Sequence, residues 1–185
     1  ELLGAAEKLD LVILNAGILG EIRDISETPL PDIRRIMDIN VWSNKVILDW
    51  LIHSGPDVAQ IIMISSGASV LGNRGWGGYA LSKSALNMLA KLYAHEMPGT
   101  HIVSLAPGLI DSDMMTYLCE DADAVRFPAL NRLREARGSE AMQTPAEAAG
   151  NIASVVEELR GFESGSFVDI RQILAPDLYA SLYLK

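Results

Sequence analysis

A single cysteine, Cys119, leaves the 185-residue chain without an internal disulfide. A chain of this length that does without cross-links is expected in a reducing, cytoplasmic compartment. Cations are also scarce: fifteen Lys and Arg stand against 24 Asp and Glu, for a formal net charge of −9. That balance argues against a nucleic-acid partner, because gripping phosphates needs clustered Lys and Arg. No apolar run reaches the roughly 20 residues that cross a bilayer, and the first residues lack the basic flank and apolar core of a secretory leader. Neither a membrane span nor a signal peptide is expected. Internal repeats, low-complexity tracts and linkers are missing as well, so residues 1–185 read as one domain. Hydrophobic residues make up 49% of it, enough for a sizeable core.

What is there is an alternation of short apolar runs and helical patterns. Residues 1–9 read as the end of a helix. Residues 11–14 form a buried strand that stops at Asn15-Ala16-Gly17. Pro29 and Pro31 introduce a long helix whose inner face is expected at Ile33, Ile36, Met37, Asn40, Ile47, Trp50 and Leu51. Residues 60–64 form a second strand, followed by a Gly/Ser-rich segment over 65–78. Residues 79–96 are a strong helix. A third strand, 102–105, closes at Pro107-Gly108. Residues 111–143 are charged and irregular. Thr144-Pro145-Ala146-Glu147 is a capping box opening a helix to about residue 159, and residues 166–170 are a last strand. Strands alternating with helices predict an α/β fold with a parallel sheet.

The residues that carry chemistry stand at strand ends and on one helix. Tyr79 and Lys83 are four apart, so a helix puts both on one face. A phenol ionises near pH ~10, and a cation beside it favours the phenolate and lowers that value. A phenol so tuned can exchange a proton with a substrate oxygen. Taken alone, the pair is equally what a surface helix would carry. Ser66 ends the second strand, where ligands bind in parallel sheets. Its hydroxyl could donate to a carbonyl oxygen, or merely cap a turn. Asn40 is a polar residue within an apolar helical face and must be hydrogen-bonded if buried. A helix kink or a satisfied core amide would explain it equally well.

In their order and spacing, Asn15-Ala16-Gly17, Asn40, Ser66, Tyr79 with Lys83, and Pro107-Gly108 resemble the short-chain dehydrogenase/reductase family over about residues 11–170. The resemblance implies a Rossmann-type doubly wound parallel sheet with helices on both faces. It also implies an oxidoreductase that moves hydride between a nicotinamide cofactor and a carbonyl or alcohol. A catalytic tetrad of Asn40, Ser66, Tyr79 and Lys83 follows by residue matching. Tyr79 would be the general acid/base, Lys83 would bind the nicotinamide ribose and tune Tyr79, Ser66 would hold the substrate oxygen, and Asn40 would position a relay water. Asn15, Ala16 and Gly17 would line the cofactor cleft. Pro107, Gly108 and Ile110 would wrap the nicotinamide end. Where the family commonly has Thr after Pro-Gly, this sequence reads Asp111-Ser112-Asp113, so Ser112 is the expected substitute. No metal is expected. The family's Gly-rich phosphate turn and its cofactor-selecting residue are not in this sequence, which is therefore read as part of a longer protein whose first strands are not seen. The glycines of residues 67–78 stand in the wrong place for that turn and read as an active-site loop.

Within the family, residues 75–79, 106–114 and 164–169 resemble the sepiapterin reductase and benzil reductase branch. That resemblance favours NADP over NAD and a dicarbonyl or pterin-like ketone as substrate. Trp76, Met114 and Asp169, together with Ser66, are the candidate substrate contacts, although Asp169 equally reads as a strand-end carboxylate in solvent. Residues 111–143 are expected to be a substrate lid bearing Met114, Met115, Tyr117, Phe127 and Leu130. Ile47, Trp50, Leu86, Leu89 and Tyr93 are candidates for a homodimer or homotetramer face. A different class stays open: a non-catalytic Rossmann-like regulatory or interaction protein.

Overall fold

The computed structural model describes residues 6–183. Among the described residues, four parallel strands form one sheet in chain order: β1 (Lys8–Leu14), β2 (Asp57–Ile64), β3 (His101–Ala106) and β4 (Phe167–Asp169). The helix expected over residues 1–9 lies partly outside the described residues, and Lys8 and Leu9 belong to β1. The first three strands are longer than the bare apolar runs because flanking polar residues continue the ladder, as Lys8 does opposite Asp57, whereas β4 is shorter than the strand expected over residues 166–170.

Alternation along the strands splits the core into two layers. Ile61, Met63 and Ile102 face one side and pack with Leu48 and Leu51 of α2 (Ser43–Ser54) and Leu86, Leu89 and Tyr93 of α4 (Gly77–Glu96). Ile62, Val103, Leu105 and Val168 face the other and meet Val155 and the Leu159 of α8 (Val156–Leu159). Helices therefore cover both faces, as a Rossmann-like sheet requires. The Thr144–Glu147 capping box forms as expected and opens α7 (Pro145–Ser154).

The long first helix is interrupted. α1 (Leu30–Met37) passes into a π-turn over Asp38–Trp42, where the Ser43 amide reaches back to the Asp38 carbonyl, before α2 begins. One additional residue in a turn rotates everything after it by about 100°. This corrects the inner face expected from a regular period. Ile36, Asn40 and Leu51 are buried as expected, but Val41 in the π-turn and Asn44 and Leu48 beyond it also face the core, while Ile47 and Trp50 are exposed. The candidate contact surface changes accordingly. Leu86, Leu89 and Tyr93 lie in the core, and the exposed apolar side chains are Trp42 at the end of the π-turn, Val46, Ile47, Trp50 and Ile52 on α2, and Leu81, Met88 and Leu92 on α4.

Because all four strands run the same way, their C-terminal ends share one edge. The segments that follow them gather there: residues 15–28, residues 65–76 with the short α3 (Ala68–Leu71), and residues 107–144 with α5 (Asp113–Thr116) and α6 (Ala129–Ala136). After β4 come α9 (Arg171–Leu174) and α10 (Pro176–Tyr183).

Candidate active site

A cleft of about 1330 Å³ opens along that edge. Asn15, Gly17, Ser66, Trp76, Tyr79, Lys83, Pro107, Gly108, Ile110, Ser112 and Met114 all line it. Of the expected site residues, Asn40 and Asp169 are buried behind the walls, and Ala16 is exposed beside Asn15 without lining the cleft.

The helix α4 carries Tyr79 and Lys83 one turn apart, with the Lys83 ammonium 5.7 Å from the centre of the Tyr79 ring. Lys83 is buried and donates to the Ile64 carbonyl at 2.7 Å. Burial lowers its pKa to about 8. Burial pushes the Tyr79 phenol above its ordinary value, and hydrogen bonding with Ser66 pulls the other way. The net direction is upward, opposite to the lowering expected from Lys83. Desolvation of the phenolate outweighs the influence of the neighbouring cation.

The two serines at the end of β2 separate by their partners. Ser65 is buried and donates to the Asn87 side-chain oxygen at 2.6 Å. Ser66 accepts from the Ala68 amide at 3.2 Å, which leaves its own proton free to face Tyr79 and the cleft. The turn-capping and substrate-facing readings of Ser66 are therefore compatible.

Asn40 sits in the π-turn with no exposed surface. Its side-chain oxygen accepts the Ile18 amide at 2.7 Å, and its Nδ2 donates to the Ile18 carbonyl at 2.8 Å and to Ser82 Oγ at 2.9 Å. Neither Nδ2 hydrogen is left for a water. The Asn40 carbonyl accepts from Asn44 Nδ2 at 2.9 Å. Gly17 passes close to this group: a Cβ there would lie 3.3 Å from Lys83 Nζ and 3.4 Å from Asn40 Oδ1.

Asp169 is fully buried, not a carboxylate in solvent. Both of its oxygens are engaged, Oδ1 by Arg171 Nε at 2.7 Å and Oδ2 by Arg171 Nη2 at 2.5 Å and the Tyr183 hydroxyl at 2.9 Å. Arg171 and Tyr183 line the cleft in its place.

Residues 111–143 are closed off at their base. Ile110 bridges Gln143, the Asp111 amide donates to the Gln143 carbonyl at 2.8 Å, and the Gln143 amide donates to Leu109 at 3.0 Å. Met114, Met115, Leu118 and Leu133 face the cleft. Phe127 and Leu130 are buried in the same apolar cluster as Met115, Leu118 and Leu133, which also holds Trp76. The Arg74 and Arg126 guanidinium groups both lie against the Phe127 ring, 5.6 and 5.3 Å from its centre.

Sequence reasoning missed Leu19, which lines the cleft, and Ser82, which binds Asn40. Leu19 offers no local signal. Ser82 offers one, a hydroxyl beside Lys83 on a helix face otherwise filled by Leu86 and Leu89. Among the described residues no helix is long and apolar enough to cross a membrane, and no cluster of potential metal ligands occurs.

The family model for short chain dehydrogenases matches residues 2–123. A benzil reductase ((S)-benzoin forming) of Saccharomyces cerevisiae is 31% identical over 160 residues, 80% of this chain and 61% of that protein. The sepiapterin reductase of Bos taurus is 27% identical over 165 residues, 86% of this chain and 61% of that protein. The chain thus spans about three fifths of the length of either. The solved structure of the KRED1-Pglu enzyme superposes with a TM-score of 0.71 at 27% identity, over 87% of this chain and 68% of that one. The match covers the segment that holds Asn40, Ser66, Tyr79, Lys83 and the Pro107-Gly108 turn, and the chain belongs to the short-chain dehydrogenase family of oxidoreductases.

Proposed function

We propose that this chain is the catalytic part of a nicotinamide-dependent carbonyl reductase. The observation that carries the reading is that Tyr79, Ser66 and Lys83 line one cleft at the strand ends, with the Asn40 clamp directly behind them. The residues present fit the nicotinamide end of a dinucleotide. Gly17 leaves the approach to Lys83 open where a side chain would crowd it, and Asn15, Pro107, Gly108, Ile110 and Ser112 continue the same wall. NADP is favoured over NAD, and a dicarbonyl or pterin-like ketone is the favoured substrate, on the likeness to benzil and sepiapterin reductases.

When bound, the cofactor supplies the hydride for a carbonyl carbon. Ser66 then donates a hydrogen bond to the carbonyl oxygen, where negative charge develops. Tyr79 delivers its proton to that oxygen. Its raised pKa keeps the phenol protonated before reaction, which suits the reductive direction. Lys83 holds the ribose side of the cleft and stabilises the phenolate left behind. Trp76, Leu19, Met114 and Met115 give the substrate side an apolar lining, and residues 111–143 act as its lid.

Two further readings accompany this one. The exposed Trp42, Val46 and Trp50, one turn apart from the π-turn into α2, and the exposed Leu81, Met88 and Leu92 of α4 make the contact face of a homodimer or homotetramer. The free thiol of Cys119 suits a cytoplasmic enzyme.

The deciding experiment is reduction of benzil by the whole protein that contains this chain, with NADPH and NADH compared. Tyr79→Phe should lower kcat about a thousandfold while cofactor binding persists. Retention of most of the activity by Tyr79→Phe would overturn the reading and favour a non-catalytic binding protein.

A further inference from the structure

Ser82 lies on α4 between the two residues assigned to proton transfer and has no exposed surface. A helical serine commonly bonds a carbonyl one turn back, and Ser82 Oγ does so, donating to the Tyr79 carbonyl at 2.7 Å. That habit does not account for its second bond. Ser82 Oγ also accepts from Asn40 Nδ2 at 2.9 Å, a partner 42 residues away in the chain.

These bonds form one chain with a fixed direction. Asn40 accepts from the Ile18 amide, and its Nδ2 donates to both the Ile18 carbonyl and Ser82. Ser82 donates onward to the Tyr79 carbonyl. The orientation of the Asn40 amide is therefore determined twice, by Ile18 on one side and by Ser82 on the other. Without the serine oxygen, one Nδ2 hydrogen is stranded in a dry interior. The amide regains a partner only by turning, and turning releases Ile18. Gly17 precedes Ile18 and stands against the Lys83 ammonium, so the disturbance arrives at the group that would tune Tyr79.

We propose that Ser82 is a positioning residue for the reaction: by fixing the Asn40 amide it seats the Gly17–Ile18 turn against Lys83. The inference rests on the carbonyl-reductase reading of Tyr79 and Lys83.

The test is a double-mutant cycle on kcat for benzil with NADPH, using the whole protein and the variants Ser82→Ala, Asn40→Ala and both together. If Ser82 acts through Asn40, Ser82→Ala lowers kcat about tenfold, and the double variant is no slower than Asn40→Ala alone. The pH profile of kcat moves in Ser82→Ala, because the seat of Lys83 has changed. Ser82→Cys keeps the volume with a weaker hydrogen-bonding group and falls between wild type and Ser82→Ala, and it carries the test if Ser82→Ala does not fold. Independent losses that multiply in the double variant, or an unchanged kcat and pH profile in Ser82→Ala and Ser82→Cys, overturn the proposal. Tyr79→Phe is run alongside. If it is inactive while the cycle shows no coupling, only the role of Ser82 falls. If it is active, the reading of the site falls and the role of Ser82 with it.

Discussion

Lys83 Nζ donates to the Ile64 carbonyl at 2.7 Å, tying the ammonium on α4 to the last residue of β2. One strong backbone acceptor holds a cation whose surroundings otherwise disfavour its charge. The consequence is a stability that depends on pH. Burial lowers Lys83 from 10.5 to about 8, so between those values the unfolded chain binds more protons than the folded one. Stability must therefore rise with pH in this window, and the cost of burying the charge is fully present below pH 8. Above pH 10 the raised Tyr79 works in the opposite sense, because the unfolded phenol ionises first. Chemical denaturation should show a gain of about 2 kcal/mol in wild type relative to Lys83→Met between pH 8 and 10. Parallel curves for the two proteins would mean that Lys83 is not desolvated as described.

Residues 111–143 are fastened by exposed charges as well as at their base. Asp24 receives Arg74 Nε and Arg126 Nη2, each at 2.7 Å, and Arg126 also meets Glu27 at 2.7 Å. This joins the segment after β1 to the loop before α4 and to residues 111–143. Exposed pairs are screened by salt, with a Debye length of about 3 Å at 1 M. Limited proteolysis within residues 111–143 should therefore quicken at high salt, and Asp24→Asn should show the same quickening at low salt. The Ile110–Gln143 bridge, being backbone, should hold under both conditions. Salt-independent cleavage in wild type would show that packing of Phe127, not charge, holds this segment.

Asp169 makes its contribution to the fold, with Arg171 and Tyr183 both gripping one buried carboxylate. Removing one partner of a buried pair strands the other. Asp169→Ala should cost about 4 kcal/mol in denaturant titration. It should also loosen Tyr183, whose hydroxyl would stand only 2.6 Å from a Cβ at position 67, where the chain has Gly67. A loss well under 1 kcal/mol would show that Arg171 finds water instead.

Much of this architecture was legible because its signals are local. The apolar runs at 11–14, 60–64 and 102–105 are strands, the last two buried and the first with Ile13 exposed, and the Thr144–Glu147 cap needs only four residues to declare itself. Tyr79, Lys83 and Ser66 share a cleft because parallel strands put their ends on one edge, a rule that periodicity alone carries. The π-turn was not legible. A period of 3.6 extended through Asn40 points Ile47 and Trp50 inward, and only a contact to Ile18, 22 residues away, shows otherwise. Asp169 was hidden for a related reason, since Arg171 two residues on reads as a solvent-facing cation until Tyr183 folds back over it. The upward shift of Tyr79 depends on packing against Trp76 and Leu19, which spacing between Tyr79 and Lys83 does not report.

The π-turn at Asp38–Trp42 also limits how this helix can change over evolutionary time. It holds one residue more than a regular turn would, so it is a matter of chain length, and exchanging side chains leaves that surplus in place. A deletion of one residue there would let α1 and α2 run on as a single straight rod. Asn40 or its replacement would lose its aim at Ile18, and in the same event Trp42, Val46 and Trp50 would swing about 100° around the axis. The amide clamp behind the cleft and the apolar stripe on the outer surface are thus set by one count of residues, and an insertion or deletion in this stretch would alter both at once.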